Sequence, residues 1–159
     1  MAKRTVKKFM EAVELPGTTD WANNVGATLL EYVHSGGDVL VDRIVGDLAA
    51  IPSAVDGESG VLVIGVGLVR ADTTDAAVDT LLASEAKLQE GVRNGQLWYV
   101  NRKALMAGVP FDHEFQVLTA RKLRSGDKIQ VGVYWKAYDG VQSDNIQMSA
   151  HMMGFAIQL

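Results

Sequence analysis

Three histidines, His34, His113 and His151, come first, because imidazole serves both as a metal ligand and as a general base near neutral pH. Their separations of 79 and 38 residues form no local ligand motif. The one mixed cluster is Asp112-His113-Glu114. A jelly-roll metal site would need a His-x-His pair and a downstream Glu to build one facial ligand set. Neighbours on a strand point to opposite faces, so these three residues cannot converge without a bulge. The histidines are expected at the surface or an interface, with no metal and no other cofactor.

Nucleophilic catalysis finds equally little support. Gly-x-Ser-x-Gly, which exposes a serine on a strained turn, is absent. Asp56-Gly57-Glu58-Ser59-Gly60 has its serine beside the second glycine and reads as a turn. Gly65-Val66-Gly67 lacks the third glycine that opens the helix of a dinucleotide loop. The chain has no cysteine, which removes disulfides, thiolate catalysis and Cys-ligated zinc. Asp42 with Asp47, and Glu85 with Glu90, follow solvated-surface patterns. The expectation is a binding or structural protein, not an enzyme.

Cations offer more. The net charge is −4, so the whole chain has no global pull on nucleic acid. Lys3, Arg4, Lys7 and Lys8 nevertheless precede the first acid, Glu11, and form a short basic arm over residues 1–8. Arg121, Lys122 and Arg124 make a second cluster able to meet phosphate. Among the aromatics, Trp98 and Trp135 are expected in the core. Tyr134 and Tyr138 share a polar face with Lys128 and Lys136, which makes that face a candidate contact surface.

The elements that must position these residues are strands. From Lys128 to Tyr138 the residues Ile129, Val131, Val133, Trp135 and Ala137 alternate with polar ones, the pattern of an antiparallel strand with one dry face. Phe9–Leu15, Asp38–Ile51, Gly60–Arg70, Gln96–Arg102, Phe111–Leu123 and Asn145–Gln158 read as further strands. Trp21–His34 fits helix or strand. In Gly60–Arg70 one face is Leu62, Ile64, Val66 and Leu68, and Gly65 and Gly67 open the other to a close neighbour. One helix is expected after Asp72 or Thr73, carrying Val78, Leu81, Leu82 and Leu88 and ending at Gly91 or Gly95. Ala104–Val109 reads as a turn.

These readings predict one all-β domain over residues 9–159: an eight-stranded antiparallel β-sandwich with one or two short helices in its connections. Connections such as Ser53–Ser59 and Asp72–Gly95 are too long for hairpins and favour a single jelly roll. No apolar run approaches the roughly 20 residues needed to cross a bilayer, and no signal peptide is expected.

Two segments carry a resemblance to a known family. Asp42-Arg43-Ile44-Val45-Gly46-Asp47 in an early strand, with Ala120-Arg121-Lys122-Leu123-Arg124-Ser125-Gly126-Asp127 leading into an alternating one, resembles the capsid proteins of small circular single-stranded DNA viruses, in their divergent environmental members. The resemblance implies a single jelly roll whose copies form a small icosahedral shell, about sixty around one genome. It implies location in the virion after assembly in a host cell, with single-stranded nucleic acid, DNA by the same token, as partner. Lys3, Arg4, Lys7 and Lys8 would face inward and add up over many copies. Such proteins carry a long arginine-rich arm and this chain a short lysine-biased one, so Arg121, Lys122 and Arg124 are the further candidates. Ser53–Ser59, Asp72–Gly95 and Val141–Asn145 would supply assembly surfaces. The alternative is a non-enzymatic binding module of the same fold: a trimeric receptor-binding, decoration or carbohydrate-binding protein.

Overall fold

A computed structural model describes residues 6–14, 25–52, 59–106, 108–137 and 146–159. Strands β1 (Val6–Glu14), β2 (Val25–Val33), β3 (Val39–Pro52) and β4 (Gly60–Val69) come first. Two helices, α1 (Val78–Leu81) and α2 (Glu85–Arg93), then precede β5 (Leu97–Leu105), β6 (Phe111–Leu123), β7 (Lys128–Ala137) and β8 (Ile146–Gln158). The strands form two four-stranded sheets, ordered β1-β8-β3-β6 and β2-β7-β4-β5. β1 pairs with β8, β2 with β7, β3 with β6 and β4 with β5, all antiparallel. The chain is thus one long hairpin rolled up on itself, which is the jelly-roll topology.

Hydrophobic alternation drives this closure. Ile129, Val131, Val133 and Trp135 of β7 meet Leu62, Ile64, Val66 and Leu68 of β4 in the space between the sheets. Val41, Ile44 and Leu48 of β3 and Met148 and Met152 of β8 fill it from the other side. Val41 and Ile44 are both fully buried although three residues apart. A register shift between Val41 and Arg43 makes that possible, and it turns Arg43 outward.

Several elements differ from the sequence expectation. β1 starts at Val6 rather than Phe9, so Lys7 and Lys8 belong to a strand and not to a free arm. The ambiguous Trp21–His34 segment is strand over Val25–Val33, its β-branched and leucine residues having β7 to pair with. Ala104 and Leu105, expected in a turn, still pair with β4. Phe111–Leu123 matches to the residue.

The expected single helix is two. Residues 72–77 are not helical, because Asp75 binds Arg70 instead of opening a helix: its carboxylate accepts hydrogen bonds from the Arg70 amide at 3.1 Å and from Nε at 3.0 Å. Helix α2 is capped by Ser84, whose hydroxyl accepts from the Lys87 amide. It ends at Gly95, whose φ of +79° suits only a residue without Cβ. The Gln96 amide returns to Gly91 O and the Gly95 amide to Val92 O, which completes that cap.

The helices roof the outer face of the second sheet. Val78, Leu81, Leu82 and Leu88 form a second, smaller core with Val63 and Leu97. Glycine permits the approach: a Cβ on Gly65 would lie 2.8 Å from Leu82 Cδ2, and one on Gly132 would lie 2.8 Å from the Asp79 nitrogen. The close neighbour anticipated beside Gly65 is this roof, and beside Gly67 it is the Gln96 carbonyl, with Val78 of α1 next to it. Part of the polar face of β7, expected to be wet, lies under it, with Gln130 and Gly132 buried.

Candidate functional site

The β2–β3 turn, the β4–α1 connection and the β6–β7 turn gather at one end of the sandwich, where polar groups stitch them together. The His34 amide donates to Asp127 O, and the Gly126 amide donates to His34 O, both at 2.8 Å. The Asp127 carboxylate is buried and accepts from the Ala71 amide at 3.1 Å and the Arg124 amide at 2.9 Å. His34 is buried as well. Its Nε2–H donates to Gly37 O at 2.8 Å, which leaves Nδ1 to accept from the Tyr32 hydroxyl at 3.1 Å. This end is a cross-linked platform on which side chains hold fixed positions.

A depression of about 320 Å³ opens on that platform, lined by Arg70, Arg121, Lys122 and Arg124 together with Asp72 and Asp127. The fold therefore brings the three predicted cations together and adds Arg70, which sequence reasoning missed. Arg70 follows directly on β4, and the acids of the Asp72–Asp75 turn were the available signal for it.

The charges are largely matched. Arg70 is bound to Asp75, Lys122 to Asp38 at 2.7 Å and Arg124 to Asp72 at 4.0 Å. With Asp127, four cations stand against four carboxylates, which is locally neutral. Burial works to raise the Asp75 carboxyl, but hydrogen bonds from the Arg70 side chain and backbone and from Thr73 outweigh it and hold that carboxyl below its ordinary range. Its partner Arg70 is correspondingly raised, chiefly by the same hydrogen bond. The hydrogen bond to Lys122 likewise holds Asp38 low.

These pairs differ in kind. The Asp75 carboxylate is only 11% exposed, and its double contact with Arg70 is structural. The Lys122 and Arg124 pairs are open to solvent, where water and salt screen them, so they exchange readily for a phosphate. Arg121 is exposed and has no carboxylate partner among the described residues, and its guanidinium lies against Gly95. It is the cation most free to meet an anion.

The N-terminal cations are related to this end by register. Val6 pairs with Ile157, Ile157 with Leu40, and Leu40 with Lys122. One row further, Lys7, Ala156, Val41 and Arg121 align. The chain thus enters β1 at the end that carries the basic depression, three strand spacings away, or roughly 14 Å. Lys7 and Lys8 are strand residues there, and Lys3 and Arg4 lie outside the described residues.

The histidines are dispersed, and two of them are not at the surface. His34 and His113 are buried because each satisfies its ring in a polar seam. His113 Nε2 meets the Tyr99 hydroxyl at 2.6 Å, where the edges of the two sheets face one another, and Phe111 stacks on it. Only His151 is open, 3.8 Å from Asp47 on the outer face of the first sheet. Among the described residues no three His, Asp or Glu side chains are placed to hold a metal ion. Trp135 is core as expected, whereas Trp98 is half-buried and donates to Gly95 O at 3.1 Å. Tyr134 and Lys136 border a groove beside Leu82, Glu85 and Arg102. Tyr138, Val141–Asn145 and the Ser53–Ser59 turn up to residue 58 fall outside the described residues. No helix among the described residues is long and apolar enough to cross a membrane.

No family model matches the sequence, and no curated protein does either. Solved structures do match. The structure of the infectious bursal disease virus Gx strain aligns with a TM-score of 0.55 at 14% identity, over 98% of this chain and 32% of that one. The likeness is one of fold. The infectious bursal disease virus VP2 subviral particle gives a TM-score of 0.52 at 11% identity, over 99% of this chain and 33% of that one. An aminopeptidase from a marine sediment archaeon, Thaumarchaeota archaeon, gives 0.51 at 9% identity, over 99% of this chain and 34% of that one. The chain spans about a third of the length of each of these three solved chains.

Proposed function

We propose that this chain is a non-enzymatic viral coat protein, a jelly roll that self-assembles into a small icosahedral shell around single-stranded nucleic acid. The supporting observation is the two-sheet sandwich, which aligns along nearly the whole chain with structures described as a virus and a subviral particle. DNA as the genome, about sixty copies and residence in the virion follow from the resemblance of the Asp42–Asp47 and Ala120–Asp127 segments to single-stranded DNA virus capsids. In this reading the end that carries Arg70, Arg121, Lys122 and Arg124 faces the genome. Phosphates exchange with Asp38 and Asp72 for the two exposed cations, and Arg121 needs no exchange.

Purified protein should form uniform shells of tens of subunits in negative-stain images and light scattering. The shells should carry nucleic acid that is lost in high salt. A monomer or trimer that persists across salt and pH would overturn the coat reading. It would favour a non-enzymatic binding module of the same fold.

A further inference from the structure

The two sheets differ in what covers their outer faces. The second is roofed by α1 and α2, whereas among the described residues no helix packs across the first. Its outer face presents three successive cross-strand rows. In one, Arg43 lies beside Phe155 and Leu118, with its guanidinium 4.6 Å above the Phe155 ring and Leu118 75% exposed. In the next, Val45 lies between Met153 and Gln116. In the third, Asp47 lies between His151 and Glu114. A cationic, apolar ridge and an acidic row thus flank a mostly apolar centre.

Arg43 has no carboxylate partner among the described residues, and its Nε is buried without a hydrogen-bond acceptor. Glu114 has no cationic partner among them either. A depression of about 500 Å³ runs along the Val45 and Asp47 rows. The ridge row and the acidic row are four residues apart on β3, or roughly 13 Å. A two-fold axis through the Val45 row carries each onto the other.

We propose that this face is an isologous contact between two copies of this chain, with the Arg43 ridge of each copy seated in the Asp47–Glu114 depression of the other. The partner is a second copy because the face is complementary to itself in both charge and relief, which is the condition a two-fold contact must meet. Its extent is adequate. Three strands of 13 to 14 residues and one of 9, about 4.8 Å apart, present roughly 750 Å², close to the contribution of one partner to a stable interface. The contact goes beyond the coat reading and does not depend on it.

The test uses the full chain and reads subunit mass by sedimentation and native mass spectrometry, in salt that disperses any shells. The wild type should give dimers. Arg43→Glu, and separately Asp47→Lys with Glu114→Lys, should each weaken self-association by at least about tenfold, because like charges then oppose at both halves of the contact. Mixing the two variants should restore dimers, all of them mixed, since each half again pairs opposite charges. Val45→Glu, at the centre of the face, should abolish dimers in any mixture, and circular dichroism checks that each variant folds. A monomeric wild type, variants that dimerise as well as wild type, or a mixture that does not pair would overturn the proposal. Absence of shells alone would count only against the coat reading.

Discussion

The side-chain oxygen of Gln130, on β7, accepts the backbone N–H of Val78 at 3.0 Å, in the first turn of α1. Ala77, the residue that caps this helix, has no side chain able to do so, and a residue 52 positions away supplies the acceptor instead. The Gln130 amide also donates to Glu31 at 2.7 Å, so one buried side chain joins β2, β7 and α1. Replacing Gln130 by Ala strands the Val78 N–H and should cost about 1–3 kcal/mol. Urea unfolding would give the loss, and hydrogen exchange should rise first across residues 78–93. Unchanged exchange there would show that α1 is held without Gln130.

Gly132 tests the roof from below. A Cβ at this position meets Asp79 backbone atoms at 2.8 and 3.1 Å, and backbone cannot swing aside as a side chain can. Gly132→Ala should therefore lift α1 and cost about 1–3 kcal/mol, whereas alanine for glycine in an open strand would stabilise. A higher melting temperature in the variant would contradict the close approach.

His113 gives the sandwich an acid-side limit. Burial, with the Lys103 ammonium second, pushes the imidazole below its ordinary value of 6.5. Below about that pH the unfolded chain takes a proton that the folded chain resists. Stability is then complete above pH 6.5 and falls as pH drops toward the lowered value. His113→Gln retains a partner for the Tyr99 hydroxyl and should flatten this slope. Urea midpoints from pH 7.5 to 5 compare the two proteins, and parallel curves would rule out His113 as the cause.

Arg121 should matter for anions and little for folding. Arg121→Gln keeps most of the packing over Gly95, and its stability should stay within about 0.5 kcal/mol of wild type. Binding to a fluorescent single-stranded oligonucleotide should weaken. The slope of log affinity against log salt should become shallower by about 0.7, the share of one phosphate contact on a single strand. An unchanged slope would remove Arg121 from the interface.

The strands were legible because alternation is a local property. Lys128–Ala137 and Phe111–Leu123 announce a dry face and a wet face whatever they pair with, and Gly65 and Gly67 announce a gap that something must fill. The Arg121–Arg124 cluster was legible for the same reason, being contiguous in the chain. What filled the gap was not legible. Gln130 and Gly132 look like solvent-facing strand residues until α1 folds over them, and His34 and His113 look like surface histidines until Gly37, Tyr32 and Tyr99 satisfy their rings.

The sequence by itself determined an all-β sandwich, the inward residues of most strands and the approximate place of two cationic segments. Tertiary structure alone decided that Arg70 joins the second of those segments and that Asp38 and Asp72 neutralise most of it. It also decided that Arg43, Val45 and Asp47 line up with residues more than 60 positions away into a face of opposed charge. Periodicity is written between near neighbours, whereas charge balance and cross-strand rows depend on register, and register exists only once the whole chain has closed on itself.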